Sequence, residues 1–515
     1  MTAESTIDPA DLEPGALARG VFRGRPITVL GFARSGIALA RFLHDAGAAV
    51  TVYDGRPATE LSRSIEALDG REVRLLLGPE VDPVGALDGA ALVASSPSIN
   101  ADYPTTEPRL RSALRTFLDR RAAGDLSAPA IVSEVDVFLR LCPAPTIGVT
   151  GTKGKTTTSS LTHALLATDS AHPALLGGNI GKPLVERLPE LTRDHRVVVE
   201  LSELQLPTLG HGTTVAAYTN VTSDHLDRHG TLDAYRAVKR RLGALVDPAG
   251  AIVLNLDDPI VASYADTATA RVVPYRRGEL PVGGLGVAHG WIVADVVASL
   301  DAAGSAPGFA GGRIMPLDEL AIPGSHNVSN ALAAIAVALL FGISPEAIRG
   351  AALEFTGVEH RLERVAERGD VRFINDSQGT QPDAVIAALR AFDRPIVLIA
   401  GGRDKGVDLT ELAGVVADRA HAAVLIGESG PMLEALFRGA GLETTVRTST
   451  LEAAVRAADE LAREAAAAAG TTATVLLSPA ATSFDMFEDY EARGRAFKAA
   501  VHRLVGGGAE AGGAR

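Results

Sequence analysis

Residues 148–158 read GVTGTKGKTTT, behind an extended apolar approach and ahead of SSLTHALLAT, where Leu161, Ala164 and Leu165 recur at helical spacing. That order is strand, glycine-rich turn, helix. A turn of this kind aims successive backbone N–H groups into one concavity, and the helix behind it adds the positive end of its dipole, so anions collect there. Gly151, Thr152, Lys153 and Gly154 form the cradle. Lys155 meets the outer phosphates of a nucleotide as a point charge, and of the hydroxyls of Thr156 and Thr157 the first is suited to Mg²⁺. Val149 stands where the strict G-x-x-x-x-G-K-[ST] pattern has its first glycine. The plain alternative is a Gly/Thr-rich loop that only caps a helix.

Further reactive types follow along the chain. Glu200 closes the run VVVE, where a strand delivers a carboxylate toward the phosphate site, although acidic strand ends are also ordinary solubility features. NVTSDHLDRHG places Asp224, His225, Asp227 and His229 in a short loop, an oxygen and imidazole set that suits Mg²⁺ or Mn²⁺ paired with phosphates. In the helix expected from Leu232, the residues Tyr235, Val238, Leu242, Leu245 and Val246 share a stripe, with Lys239 at its border and Arg240 pointing away. Periodicity alone makes Lys239 a snorkelling lysine with a buried stem. SHNVSNALAA opens another helix with Asn327 and Asn330 in its first turn, and GGRDKG puts Lys405 after the strand VLIA, at the edge where ligand sites of α/β sheets gather.

The elements that must position these residues repeat one plan. PITVLGFARSGIALARFLHDAGAAVTVYDGRP is strand, glycine turn, helix and strand ending on Asp54, the layout of a nucleotide-binding βαβ unit with Ala33 in place of the second fingerprint glycine. Strand and helix patterns alternate through the middle third and restart after EFTGVEHR, with VRFIND, RPIVLIAGG, HAAVLIGES and ATVLLSPA. Three successive α/β domains are expected, at 1–130, 131–357 and 358–515, the first and last Rossmann-like and the central one of P-loop ATPase type. GLGVAHGWIVADV reads as a β excursion of the middle domain, and the tail from about residue 506, GGGAEAGGAR, as disordered.

Composition narrows the class. A chain of 515 residues is too long for one core. With 62 acidic against 49 basic residues its net charge is −13, which argues against nonspecific nucleic-acid or anionic-membrane binding. Cys142 is the one cysteine, so no intrachain disulfide or thiolate metal cluster forms, and before a proline it reads as a small buried hydrophobe. No run is long enough to span a membrane and the first residues lack a signal-peptide layout; a cytoplasmic enzyme is expected.

Taken in order, TGTKGKTT, GNIG at 178–181, ELSELQL, NVTSDHLDRHG, YRAVK, GSHNVSNA, EHR, NDSQGT, GGRDKG and LSPAATSFDMFEDYEARG resemble the motifs of the Mur ligases over nearly the whole chain. That resemblance implies ATP-dependent ligation of D-glutamate to the terminal carboxylate of UDP-N-acetylmuramoyl-L-alanine, or its glycine counterpart, through an acyl phosphate. It implies small-molecule partners only: the UDP-muramoyl precursor, D-glutamate and ATP. By the same resemblance Ser35, Arg56, Asn179 and His225 hold the UDP substrate, and the phosphate loop with Asn327, Asn330, Arg361 and Asp376 holds ATP. Thr156 and Glu200 meet one Mg²⁺, and His225 with a carbamylated Lys239 holds a second. Lys155, Glu200, His225 and Lys239 are then the catalytic set, and Thr380, Lys405, Ser483, Phe484 and Tyr490 receive D-glutamate. Lys153, Glu203, Leu204 and Gln378 depart from the family pattern, which has Asn, Ser, Phe and Lys there. Other readings are a folylpolyglutamate-type ligase, a nicotinamide oxidoreductase built on the first βαβ unit, or a P-loop phosphotransferase; the last two leave the final third of the chain unexplained.

Overall fold

The apolar runs of this chain are near-continuous because its strands are covered on both faces. In the run Val197–Val198–Val199, the outer two side chains enter one core and the middle one enters another, as the period of two requires. The computed structural model describes residues 6–222, 231–300, 308–322, 324–404 and 406–510. They form two compact units, Met1–Phe355 and Thr356–Arg515.

The first unit holds two sheets. Strands β1 (Pro26–Leu30), β2 (Ala49–Asp54), β3 (Arg74–Leu77), β4 (Leu92–Ser95) and β5 (Ala130–Ser133) are all parallel, in the order β3-β2-β1-β4-β5. The winding direction reverses between β1 and β4, which opens a crevice at their carboxyl ends. Because β5 pairs with β4 through Ser133, this sheet continues past residue 130. The second sheet contains β6 (Thr146–Thr150), β7 (Ala174–Gly178), β8 (Arg196–Glu200), β9 (Val215–Tyr218), β10 (Ala251–Asn255) and β11 (Arg271–Tyr275), all parallel. It is extended by β12 (Leu285–Ala288), β13 (Trp291–Ala294) and β14 (Gly312–Pro316), the last two antiparallel, so GLGVAHGWIVADV is indeed a β excursion. Its order is β14-β13-β12-β11-β10-β9-β6-β8-β7.

One core joins the two sheets. Val29, Leu39, Phe42, Val135 and Phe138 share it with Leu184, Val185, Val197 and Val199. The far face of the second sheet packs under the helix Ser325–Leu340, in which every side chain from Asn330 to Leu340 is buried.

In the second unit β15 (Glu363–Arg368), β16 (Val371–Asn375), β17 (Ile396–Gly401), β18 (Ala422–Ile426), β19 (Thr444–Arg447) and β20 (Ala473–Leu477) lie in the order β15-β16-β20-β17-β18-β19. Only β15 runs antiparallel to its neighbour. Each face has its own core, one around Leu398, Leu412 and Phe437, the other around Phe373, Val455 and Phe497. The final helix, Tyr490–Glu510, continues through the glycines at 506–508, where the composition led us to expect loss of order. Propagating a helix that is already formed is far easier than starting one.

Candidate active site

Strands β6, β8 and β9 end side by side on one edge of the second sheet, and their ends build the phosphate loop. Val149 is wholly buried inside β6, so the turn proper starts at Gly151 and the missing first glycine is not needed. Gly151 (φ +151°) and Gly154 (φ +86°) lie where only glycine is at ease, and both are hemmed in. A methyl on Gly151 would stand 1.9 Å from Thr219 Oγ1, and one on Gly154 would stand 2.3 Å from Asn330 Oδ1. The helix Lys155–Leu166 starts directly behind.

The loop is pinned from β9. The Thr152 N–H donates to Asn220 O (2.7 Å), the Lys153 N–H to Asn220 Oδ1 (2.9 Å), and Asn220 Nδ2 (2.9 Å) and Thr219 Oγ1 (2.6 Å) donate to Lys153 O. Lys153 is thus fixed by its backbone while its side chain is exposed. Thr219 and Asn220 were missed in the sequence, although Asn220 opens, and Thr219 directly precedes, a motif that was singled out for its acids and histidines. Lys155 Nζ donates to Gly151 O (3.0 Å) and Thr152 O (2.9 Å), arching back over the cradle. Thr156 is buried and Thr157 half-buried in the first helical turn. Asn330 Oδ1 accepts from Thr158 Oγ1 (3.3 Å), and Asn330 Nδ2 donates to Asn327 Oδ1 (3.0 Å), which brings both asparagines to the loop.

Lys239 corrects the reading from periodicity: it does not snorkel but is 0% exposed. Its Nζ donates to Gly151 O (3.1 Å) and Thr150 Oγ1 (3.3 Å) and lies 5.5 Å from the centre of the Tyr235 ring. The Tyr235 hydroxyl is 3.0 Å from Thr152 Oγ1. A stripe border on the helix Leu232–Ala244 became the inside of the site because β6 and its loop cover it, a tertiary contact that helical spacing does not report.

Glu200 is 1% exposed at the end of β8. Asn179 Nδ2 donates to its Oε1 (2.8 Å) and the Asn179 N–H to its carbonyl (2.9 Å). Its other oxygen, Oε2, is buried with no hydrogen-bond partner among the described residues. A carboxylate oxygen without a partner, at the end of the strand that pairs with the one leading into the phosphate loop, fits a hard cation such as Mg²⁺. His225, with Asp224, Asp227 and His229, lies outside the described residues.

In the first sheet Ser35 sits half-buried in the first turn of the helix Arg34–Asp45. Asp54, at the end of β2, accepts from the Phe32 N–H (2.8 Å), the Arg56 N–H (3.0 Å) and the Arg56 guanidinium (3.0 and 2.8 Å). Burial pushes its carboxyl up, but the Arg56 and Phe32 bonds prevail and hold it below the usual carboxylate range. Arg56 is therefore already oriented by Asp54 at the mouth of the crevice.

The second unit gathers its candidates on turns at the carboxyl ends of β16 and β20. Arg493, 1% exposed, donates to Ser377 O (2.9 Å), Ser377 Oγ (3.0 Å) and Ala481 O (3.2 Å), and burial lowers it to about 10. Ser377 Oγ donates to Tyr490 O (2.7 Å), and the Ala480 N–H to Gly379 O (3.0 Å). The segments carrying Thr380, Ser483 and Tyr490 are tied together this way, with Phe484 exposed beside them. Asp376 accepts from Ser478 Oγ (2.6 Å) and the Leu362 N–H (3.2 Å), and burial raises its carboxyl to about 6. Arg361 is exposed next to a buried His360 whose Nδ1 is 2.9 Å from Asn375 Nδ2. Gln378 Oε1 is buried without a partner among the described residues, and Lys405 lies outside them.

A phosphate loop backed by a buried strand-end carboxylate, followed by a separate α/β unit, defines the class, and family comparison agrees. Residues 149–338 match the Mur ligase middle domain and residues 360–481 the Mur ligase glutamate ligase domain; the chain belongs to the Mur ligase family. Over 94% of its length it is 36% identical to the "UDP-N-acetylmuramoylalanine--D-glutamate ligase" of Pelotomaculum thermopropionicum, covering 99% of that protein. A relative of the same name from Symbiobacterium thermophilum is 38% identical over 92% of this chain and 97% of its own. Among solved structures, a pseudomurein peptide ligase type C from Methanothermus fervidus aligns with 93% of this chain and 100% of its own at 19% identity and a TM-score of 0.46.

Proposed function

We propose that this chain is the D-glutamate-adding ligase of peptidoglycan precursor synthesis, a cytoplasmic enzyme that uses ATP and Mg²⁺ to join D-glutamate to the carboxylate of UDP-N-acetylmuramoyl-L-alanine. The observation that carries this reading is near-full-length identity to ligases of that name, together with the buried free oxygen of Glu200 beside the phosphate loop.

The chemistry follows from the poor electrophilicity of a carboxylate. The substrate carboxylate attacks the γ-phosphorus of ATP, ADP leaves, and an acyl phosphate forms. The amine of D-glutamate then adds to the acyl carbon, and phosphate leaves from the tetrahedral intermediate carrying one former carboxylate oxygen. Lys155 and the N–H groups at the start of the helix Lys155–Leu166 offset the repulsion between the two anions. Thr156 and Glu200 would hold Mg²⁺, which would supply positive charge to the phosphates, and Asn179 fixes the orientation of the Glu200 carboxylate.

Arg361, Asp376, Asn327 and Asn330 are assigned to ATP, and Ser35 and Arg56 to the UDP end. Thr380, Lys405, Ser483, Phe484 and Tyr490 are assigned to D-glutamate. A second Mg²⁺ would be held by His225 and a carbamylated Lys239: the neutral amine of Lys239 would add to CO₂ with loss of a proton, giving a carbamate that offers an oxygen ligand where an ammonium would repel the metal. Full burial of Lys239 at the loop supports this role. The test is steady-state phosphate release with the UDP-muramoyl substrate and each enantiomer of glutamate. Release that needs D-glutamate and is abolished in Lys155→Ala is expected; equal release with no amino acid, or with L-glutamate alone, would overturn the reading.

A further inference from the structure

Asn220 makes three bonds to the phosphate loop: its carbonyl accepts from the Thr152 N–H, its Oδ1 accepts from the Lys153 N–H, and its Nδ2 donates to Lys153 O. With those two loop N–H groups taken up, a phosphate meets the N–H groups at the start of the helix Lys155–Leu166, and their direction depends on where Asn220 holds the turn. The residues around Asn220 bond the loop as well. Thr219 Oγ1 donates to Lys153 O (2.6 Å), and the Thr222 N–H donates to Thr152 Oγ1 (3.0 Å). Residues 219–222 lie past the end of β9, in neither strand nor helix, so their own backbone groups need partners from another element.

Two of those partners come from a single turn. β10 ends on Asn255, and NLDD, residues 255–258, leads into the short helix Pro259–Ala262. Asn255 Nδ2 donates to Thr219 O (2.7 Å), and Asp258 Oδ2 accepts from the Val221 N–H (2.8 Å); both side chains are buried. Each uses its other oxygen to brace its own turn. Asn255 Oδ1 accepts from the Asp257 N–H (2.9 Å), and Asp258 Oδ1 accepts from the N–H groups of Ile260 (2.9 Å) and Val261 (3.0 Å). In the sheet β9 lies between β10 and β6, the strand that leads into the loop, so these bonds carry the position of the NLDD turn across β9 to the loop.

We infer that Asn255 and Asp258 are positioning residues for ATP: by gripping the residues on either side of Asn220, they fix its three bonds to the phosphate loop and with them the direction of the helix-start N–H groups. Both act through Asn220 rather than on the nucleotide. The inference rests on the reading of residues 151–157 as an ATP phosphate loop. A part that only fills space would be indifferent to which atom faces Thr219 O and the Val221 N–H, whereas this role depends on it.

Exchanges of one atom in the full chain test this. Asn255→Asp keeps an oxygen for the Asp257 N–H and loses the donor to Thr219; Asp258→Asn keeps an oxygen for the helix Pro259–Ala262 and loses the acceptor for Val221. Each variant is expected to bind the non-hydrolysable ATP analogue AMPPCP, with Mg²⁺, about tenfold more weakly by calorimetry, in the range for a lost buried hydrogen bond. The KM for ATP should rise with it, and the KM for D-glutamate should not change. In an Asn220→Ala background the same exchanges should add little, because the contact through which they act is already gone. Parent-like AMPPCP affinity in either variant would overturn the role of that residue, and a loss as large in the Asn220→Ala background as in the parent would overturn the route through Asn220. Should one exchange prevent folding, Asn255→Ser or Asp258→Ser takes its place under the same criteria. Amide hydrogen exchange at Thr152 and Lys153 separates this idea from the functional reading. Faster exchange at those two amides, with the amides of β6 and β10 unchanged, supports the positioning even if the parent performs no ligation; unchanged exchange there, or a uniform rise through both strands, rejects it.

Discussion

Two buried side chains carry most of the chemistry that can be tested one residue at a time. Lys239 is fully enclosed against the phosphate loop, so replacing it by alanine removes an interior group rather than a surface charge. Lys239→Ala should be nearly inactive and should regain part of its rate when acetate or formate is added, because a small carboxylate restores the oxygen ligand a hard cation prefers. Rescue by methylamine in place of formate would show that the amine itself acts and that no carbamate is involved. Asp376 gives a pH prediction. Its folded value, about 6, lies above the unfolded 3.8, so the stability it contributes is complete at low pH and is lost as pH rises through about 6. Relative to the parent, the Tm of Asp376→Asn should climb across that window and level off above it; a parallel pair of curves would mean that the carboxyl is not desolvated. At this scale the sequence was informative about residue types and poor about burial. Glu200 was legible because three valines precede it, whereas Lys239 at a stripe border gave no sign of being enclosed by a neighbouring element.

The elements owe their positions to close backbone approaches that only glycine allows. Gly151→Ala would press a methyl to 1.9 Å from Thr219 Oγ1 at a φ of +151°, and the loop must move to relieve it. Overpacking of this kind costs about 1–3 kcal/mol. Nucleotide binding measured by calorimetry should be lost while far-UV dichroism stays near that of the parent; unchanged affinity would mean that the cradle does not grip phosphate. Strands such as β8, β17 and β20 were readable from their apolar runs, as was the helix Ser325–Leu340 from its alanines and leucines. β15, ERVAER, was not, because an edge strand that is half exposed carries charge on both sides of its pattern. The 3-10 helix Leu184–Glu190 contains Pro189 and lacks a helical period, so the element that follows GNIGKP was invisible before the fold was known.

At the scale of the molecule, the two units have separate cores. Those of the second unit draw only on residues beyond position 364, and its six strands form one continuous sheet. A fragment spanning residues 356–510 should therefore fold alone with one cooperative thermal transition; a chain that stays expanded and binds hydrophobic dyes would contradict this. The first two sheets should not be separable in the same way, since one core runs through both. The sequence placed a boundary between them near residue 130, for charge and loop composition mark a linker, but composition does not show that β5 and the helix after it bind the two sheets into one body. Among the described residues no helix is long and apolar enough to cross a membrane. The central claim is that one oxygen of the muramoyl-peptide carboxylate passes through an acyl phosphate on its way to inorganic phosphate. The most direct measurement uses UDP-N-acetylmuramoyl-L-alanine labelled with ¹⁸O in that carboxylate, with ATP, Mg²⁺ and D-glutamate, and reads the released phosphate by mass. Each turnover is expected to deliver a single ¹⁸O to phosphate and one new amide to the product; product formed with unlabelled phosphate, or labelled phosphate without D-glutamate incorporation, would contradict the account.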